Sequence, residues 1–231
     1  MPLTSEIVSQ ISAFLDLGGA VVAILLAVSV LSLAVIFLKI FQFSRAGVGS
    51  SRRSEQAVCL FVSDRARNAY DLAAKGRSPT AETVALAIRL VTANRLDKQA
   101  IEEQITRVAS GRLHELQWGF RFLDAVAQLA PLMGLFGTVL GMIEAFKKLQ
   151  SAGNAVDPSI LAGGIWVALL TTAVGLAVAM PVSLILTWFE TRVENERVAI
   201  QTLTTDILAG VTPLPIEAQR SNFTEEVQLA N

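Results

Sequence analysis

The chain has 231 residues, of which 52% are hydrophobic and only 17% are charged, and its formal net charge is −1. Its lone cysteine, Cys59, excludes an internal disulfide. Its lone histidine, His114, lies in a polar helical pattern, so we expect a solvated surface residue rather than a ligand or a base. No metal-binding spacing, nucleophile elbow, phosphate-cradling glycine loop or basic cluster is present. We therefore predict no enzyme activity, no cofactor, no metal and no nucleic-acid partner.

The chain begins with a stretch whose apolar residues, among them Ile7, Ile11 and Phe14, share one helical face. This pattern predicts a short amphipathic helix lying on the membrane surface. An ordinary helical lead-in to the next element fits the same residues equally well. That next element is a run of 22 uncharged residues, Leu17–Leu38. A helix needs about 20 apolar residues to cross the hydrocarbon core of a bilayer, so the run predicts a first transmembrane helix.

The middle of the chain holds most of the positive charge. The segment Arg45–Arg121 carries 13 of the 19 Lys and Arg residues against 8 acidic residues. Cytoplasmic loops retain Lys and Arg, so the segment is predicted to be cytoplasmic, with the N-terminus outside and the C-terminus inside. Within it, Gly76–Pro79 predicts a turn that precedes an apolar helix.

A second cytoplasmic pattern leads into the next span. Ile101, Ile105 and Val108 recur at helical spacing, and neither Pro nor Gly-Gly interrupts the run from Lys98 to Ala130. We therefore predict one continuous helix that starts in the cytoplasm and becomes the second span, with Gly111 inside it. Its apolar stripe needs a partner, and the C-terminal part of the chain offers a matching stripe of Val193, Ile200, Leu203 and Ile207.

Two further uncharged runs predict the second and third spans: Ala125–Ile143 with 19 residues and Pro158–Phe189 with 32. The helical pattern of the third continues to Ala209, and about 50 residues at 1.5 Å each would extend about 75 Å. This exceeds the thickness of the hydrocarbon core, so the rest is predicted to project into the cytoplasm. The predicted fold class is an all-α integral membrane protein with three transmembrane helices and long cytoplasmic helical extensions.

The predicted organisation follows in chain order: a periplasmic amphipathic helix at 1–16, the first transmembrane helix at 17–41, a cytoplasmic helical domain at 42–121, the second transmembrane helix at 122–146, a periplasmic loop at 147–159, the third transmembrane helix at 160–189, and a cytoplasmic C-terminal helix and tail at 190–231.

The second and third spans carry small residues three or four positions apart. These are Gly134, Gly137, Thr138 and Gly141 in the second span and Gly164, Ala168, Thr171, Thr172, Gly175 and Ala179 in the third. Small residues at this spacing let helices approach closely in lipid, which explains the glycines and alanines. A path for an ion beside the helices is the alternative reading, and it gives the threonines a purpose. Pro131 and Pro181 each permit a kink, and such positions often line protein-filled or watery interiors.

Charged residues flank the second span on both sides. Asp124 precedes it and Glu144 follows it. Both are close enough to the membrane interfaces for simple solvation to account for them.

Two blocks in these spans resemble a known family. APLMGLFGTVLGMIEAF (Ala130–Phe146) and GIWVALLTTAVGLAVAMP (Gly164–Pro181) are similar to signature blocks of the MotA/TolQ/ExbB proton-channel family. The three-span layout with a large cytoplasmic segment between the first two spans is similar to its ExbB and TolQ members. The four-span MotA branch fits less well.

The resemblance implies a homopentamer in the bacterial inner membrane, surrounded by lipid and enclosing two copies of a single-span partner of the ExbD or TolR type. An aspartate in the partner's span would take and release protons. By motif position, the threonines that the family places near this aspartate correspond to Thr138 and Thr172, and Thr171 adjoins the same path. One position departs from the family: Val167 stands where ExbB-type relatives commonly have a glutamate.

The function implied by the resemblance is that of a motor driven by the proton motive force. It would energise transport or envelope processes at the outer membrane through a TonB-like or TolA-like protein. A passive membrane scaffold that assembles other envelope proteins is the alternative from a different class. A gene for a short single-span protein with an Asp in its span, lying alongside, would favour the motor.

Overall fold

The computed structural model describes residues 2–151 and 158–211, and for residues 2–18, 158 and 160 it describes the backbone alone. In these ranges the secondary-structure elements are all α-helices, which confirms the predicted all-α class. In chain order they are α1 (Pro2–Ala46), α2 (Arg52–Val62), α3 (Ala66–Ala74), α4 (Pro79–Ala93), α5 (Lys98–Gln117), α6 (Phe120–Ser151) and α7 (Pro158–Ala209).

Three of the helices are long and apolar enough to cross a membrane, namely Gly19–Ala46 of α1, Phe120–Ser151, and Leu161–Ala209 of α7. The prediction of three transmembrane helices is therefore confirmed. The third continues without a break to Ala209, as its pattern indicates, and ends where Gly210 adopts a φ of +69°.

The backbone of α1 leaves the helical conformation once, at Gly19, whose φ is +63° and ψ is −161°. A side chain with a Cβ is disfavoured at such a φ, so glycine suits this position. The amphipathic character predicted for residues 1–16 depends on side chains outside those described. The C-terminal tail beyond residue 211 and residues 152–157 of the predicted periplasmic loop also lie outside the described residues.

The chain divides into two compact units. The span unit comprises Met1–Leu38 and Gly119–Trp188, and the bundle unit comprises Lys39–Trp118 and Phe189–Asn231. Helices α1 and α7 contribute residues to both.

The core of the bundle unit is aliphatic and draws on α2, α3, α4, α5 and α7. Ile101 and Ile105 of α5 share this core with Leu203 and Ile207 of α7, so the two predicted stripes meet. Helices α2, α3 and α4 complete the same core, which the spacing of the two stripes does not indicate. Their contributions are Ala57 and Val58, Ala69 and Ala73, and Val84, Ala85, Ala87 and Ile88.

The turn predicted at Gly76–Pro79 is confirmed and has a clear local cause. Ser78 is the N-cap of α4, its side chain accepts a hydrogen bond from the backbone N–H of Ala81, and Pro79 occupies the first turn. Proline suits this position because its fixed φ fits a helix and its missing N–H would lack a helical partner there.

The prediction of one continuous helix from Lys98 to Ala130 is wrong. The helix α5 ends at Gln117, Trp118 has an extended ψ of 134°, and Gly119 has a φ of +82° before α6 begins. Gly111 does lie inside α5, as predicted.

Two side chains of α1 explain why α5 can end there. The last carbonyls of a helix have no intrahelical donor, and a cation is favoured at that end. The Lys39 Nζ donates to the carbonyl oxygen of Leu116 at 2.9 Å, and the Gln42 amide donates to that of Glu115 at 3.3 Å. Lys39 also lies 5.7 Å from the centre of the Trp118 ring. The break is thus stabilised by a distant helix, which α5's own pattern does not reveal.

Candidate functional site

The α6–α7 pair of the span unit is built on close backbone approach. A Cβ added at Gly134 would lie 2.9 Å from both the carbonyl oxygen of Thr171 and the Cα of Thr172. A Cβ at Gly141 would lie 3.0 Å from the Cβ of Ala168, which is 1% exposed. Because backbone atoms cannot rotate away as a side chain can, glycine at position 134 sets the distance between the two helices.

The small residues of α7 meet α6 in the same manner. A Cβ at Gly164 would collide with the Cβ of Ala145, and one at Gly175 would collide with the carbonyl oxygen of Ala130. The adjacent Gly163 faces open space, so the tight fit is a property of one face of α7.

Thr171 is part of this packing. Its side chain is 3% exposed, and its hydroxyl oxygen lies 3.1 Å from the carbonyl oxygen of Gly134 and 2.7 Å from that of Ala168. The hydroxyl proton can therefore be donated across to α6 or back to its own helix. A Cβ at Gly137 would also meet the Thr171 side chain, so the threonine fills the space that this glycine leaves.

The other two threonines of the site predicted from the sequence make fewer hydrogen-bonding contacts than Thr171. Thr138 is half-buried, and its hydroxyl donates to the carbonyl of Leu135 in its own helix at 2.6 Å. Thr172 is half-buried as well, and its Cα lies against Gly134. Within the described part of the chain, the Thr172 hydroxyl makes no hydrogen bond. A hydroxyl in this state can donate to a carboxylate or accept from a carboxylic acid.

The two prolines differ in burial, and the two flanking carboxylates have different partners. Pro131 is half-buried within α6, whereas Pro181 is exposed within α7. Asp124 is exposed and accepts a hydrogen bond from the side chain of Gln128 at 2.7 Å. Glu144 is exposed and forms an ion pair with Lys148 at 2.9 Å.

A groove of about 670 Å³ lies within the span unit, lined by residues of α1, α6 and α7. Val167 lines it together with Thr171 of the same helix. From α6, Glu144 and Lys148 line it too. The groove therefore has a carboxylate on α6 and none on α7 at position 167. The position of Glu144 at the end of the second span indicates only a solvated flanking residue. Its spacing from Gly137 and Gly141 on the helix is the sequence signal that places it on the groove side.

The region that contains these residues matches a known protein family. The sequence profile of the MotA/TolQ/ExbB proton channel family matches residues 75–202, more than half of the chain. The match covers α4, α5, α6 and most of α7.

Individual relatives resemble the chain over parts of their length. The biopolymer transport protein exbB1 of Vibrio cholerae serotype O1 is 37% identical over 92 residues, which are 40% of each chain. The Tol-Pal system protein TolQ of Pseudomonas aeruginosa is 36% identical over 103 residues, 43% of this chain and 44% of that one. The biopolymer transport protein ExbB-like 1 of Synechocystis sp. is 30% identical over 179 residues, covering 71% of this chain and 64% of its own. The chain thus spans less than half of the Vibrio and Pseudomonas relatives.

Proposed function

Because the chain belongs to the MotA/TolQ/ExbB proton channel family, we propose that it is an ExbB-like or TolQ-like subunit of a motor driven by the proton motive force. Its place is the bacterial inner membrane, with the N-terminus periplasmic and the C-terminus cytoplasmic. Five copies form a ring around two copies of an ExbD/TolR-like single-span protein, and a TonB/TolA-like protein carries force to the outer membrane. Relatives of both the ExbB and the TolQ type support this proposal and leave the choice between them open.

The observation that carries the proposal is the difference in hydrogen bonding among the three threonines. Thr171 is committed to holding α7 against Gly134 of α6. Thr172, the next residue, has a half-buried hydroxyl that makes no hydrogen bond in the described residues. We assign Thr172 and Thr138 to hydrogen-bonding the partner's aspartate in its two protonation states, and Thr171 to positioning Thr172 within the proton path.

A proton that crosses a potential of 100 mV releases about 2.3 kcal/mol, so a few protons can drive the breaking of several weak contacts. The chain needs its partner for this purpose, because the three uncharged runs offer no carboxylate within their length. The small-residue packing of Gly134, Gly137, Gly141, Gly164, Ala168 and Gly175 keeps the α6–α7 pair rigid while the partner moves.

The test is a proton-flux measurement on the reconstituted complex. The chain is co-expressed and co-purified with a single-span, Asp-bearing protein of the ExbD or TolR type and placed in liposomes that contain a pH-sensitive dye. We expect an imposed potential to drive proton uptake, and an Asp→Asn change in the partner to abolish it. Absence of a stable complex, or of any flux, would favour the passive scaffold instead.

The variants Thr172→Val and Thr171→Val form a matched pair within this test. Thr172→Val keeps the shape but leaves the partner's buried carboxyl without one hydrogen-bond partner, at a cost of about 1–3 kcal/mol, so flux falls about 5-fold to 150-fold while assembly is retained. For Thr171→Val, in contrast, we expect the main effect to be a lower thermal stability. Unchanged flux in Thr172→Val and in the corresponding Thr138→Val variant would remove both hydroxyls from the mechanism.

Glu144 extends the proposal to the departure at Val167. Since Glu144 and Val167 line the same groove, we assign to Glu144 the role of an acidic group at one end of the proton path. Glu144→Gln should slow proton flux without loss of the complex. Asp124→Gln is the control, because Asp124 flanks the other end of the second span and does not line the groove.

A further inference from the structure

A second groove, of about 510 Å³, lies wholly within the bundle unit and is unrelated to the threonine site. Arginines from three places in the chain line it: Arg77 from the turn before α4, Arg89 from α4 and Arg112 from α5. Glu82 and Tyr70 also line it. Three guanidinium groups against one carboxylate leave the lining with an excess of two positive charges.

Arg112 is the arginine whose charge is compensated. Its Nη2 lies 2.7 Å from a carboxylate oxygen of Glu82, and its Nη1 lies 3.1 Å from one of Glu115. The hydrogen bond to Glu82, followed by that to Glu115, raises the pKa of the Arg112 guanidinium above its ordinary value. Glu82 is therefore already occupied and cannot fully neutralise a second arginine.

Arg77 and Arg89 have no such compensation. Among the residues that the structure describes, neither has a carboxylate oxygen within 4.0 Å of its guanidinium. Both side chains are exposed, so their forked donors can turn toward a ligand in the groove. Tyr70, which is 37% exposed, adds a phenolic hydroxyl and an aromatic face to the same lining.

We propose that this groove binds a small anion that carries two or more phosphate groups. Guanidinium groups bind phosphate oxygens through paired N–H donors, and two uncompensated arginines match two phosphate groups in number. The groove volume lies within the range of roughly 300–1,000 Å³ that is typical of small-molecule sites. The ligand chemistry is shared by soluble polyphosphate compounds and by the phosphorylated headgroups of lipids.

The first experiment is calorimetric titration of pyrophosphate into the full chain in phosphatidylcholine nanodiscs. Arg77→Gln and Arg89→Gln should each weaken binding about tenfold or more, because each removes a charged hydrogen-bond donor. Arg107→Gln is the matched control, since Arg107 is an exposed arginine of α5 that does not line this groove. Absence of binding by the parent chain, or an equal loss in Arg107→Gln, would overturn the proposal.

A second variant predicts a change of opposite sign. Glu82→Gln removes the carboxylate that repels the ligand and breaks one of the two ion pairs of Arg112, so pyrophosphate binding should become several-fold tighter. Weaker binding in Glu82→Gln would contradict the assigned role of the three arginines.

The source of the phosphate is decided by repeating the parent titration in nanodiscs that contain cardiolipin, an anionic lipid whose headgroup carries two phosphate groups. Competition, seen as weaker apparent pyrophosphate binding that remains sensitive to Arg89→Gln, identifies a lipid headgroup as the occupant. Unchanged binding identifies a soluble phosphate compound. Loss of the Arg89 dependence in both lipid mixtures would refute a phosphate site in this groove.

Discussion

In the span unit, α6 approaches α7 where side chains are absent, whereas in the bundle unit α7 is held by large aliphatic side chains. Gly134 leaves no room for a Cβ against the backbone at Thr171 and Thr172, and Leu203 is fully buried in the bundle core. The difference reflects the surroundings. Water drives apolar side chains together in the bundle unit, but lipid offers no such force, so close van der Waals contact must hold the spans.

The two units also use buried polar groups differently. In the span unit the Thr171 hydroxyl bonds to a backbone carbonyl and carries no charge. In the bundle unit the carboxylate of Glu196, 3% exposed, accepts three hydrogen bonds: from the N–H of Gly49, and from the N–H and hydroxyl of Thr80. A buried carboxylate is tolerated when several donors satisfy it, and here it ties α7 to α4 and to the turn after α1.

The comparison predicts that removing volume harms the bundle unit most. Leu203→Ala deletes a side chain with 0% exposure and should lower the free energy of unfolding by about 2–5 kcal/mol. Val198→Ala on the same helix, at 40% exposure, should change it by less than about 0.5 kcal/mol. Thermal or denaturant unfolding in detergent measures both, and equal effects would mean that the core is not where the structure has it.

The span unit should instead be harmed by added volume. Gly134→Val forces a Cβ to 2.9 Å from two backbone atoms of α7, and overpacking of this kind costs about 3 kcal/mol. Gly163→Val is the control, because a Cβ there meets nothing within 4 Å. The measurement is the melting temperature of the detergent-solubilised protein. A Gly134→Val protein as stable as the control would show that the helices are not in close contact at this point.

The buried carboxylate of the bundle unit provides a third test. Glu196→Gln keeps the size of the side chain but replaces an acceptor oxygen by a donor amide, so at least one charged hydrogen bond is lost. We expect a decrease of about 1.5–3 kcal/mol in the free energy of unfolding. Glu194→Gln, two residues earlier and exposed, should have almost no effect. An unchanged free energy of unfolding in Glu196→Gln would mean that the three donors do not depend on the carboxylate.

The smallest effect is expected for the hydroxyl between the spans. Thr171→Val should cost about 0.6 kcal/mol, the average for hydrogen bonds between membrane helices, and at most about 1.7 kcal/mol. Thr172→Val, which loses no hydrogen bond within the described residues, should leave the melting temperature unchanged. A larger loss of stability in Thr172→Val than in Thr171→Val would exchange the roles assigned to these two threonines.

The elements that sequence could predict are those determined locally. Length and apolar composition identify the three spans, and Ser78 followed by Pro79 marks the start of α4. The spacing of Gly134 and Gly141 predicts a tightly packed face, and a Cβ at these positions would lie 2.9 Å and 3.0 Å from atoms of α7.

The features that sequence missed depend on partners far along the chain. The break after Gln117 interrupts a regular apolar pattern and is stabilised by Lys39 and Gln42 of α1. Glu196 has the sequence context of an ordinary solvated glutamate, and its partner Thr80 lies 116 residues away. In the candidate site, three similar threonines can be told apart only by the hydrogen bonds that the hydroxyls of Thr138 and Thr171 make and that of Thr172 does not make within the described residues.

The two side chains of α1 that donate hydrogen bonds to the end of α5 also fix the rotation of α1 about its own axis. Lys39 and Gln42 lie nearly one turn apart on α1, and they bind two successive carbonyls, those of Leu116 and Glu115. Because each residue of an α-helix advances about 100° around its axis, turning α1 by a single residue step would move both donors away from α5 together. The two hydrogen bonds therefore fix the rotational position of this part of α1 relative to the end of α5, and rotation of either helix about its axis would break both.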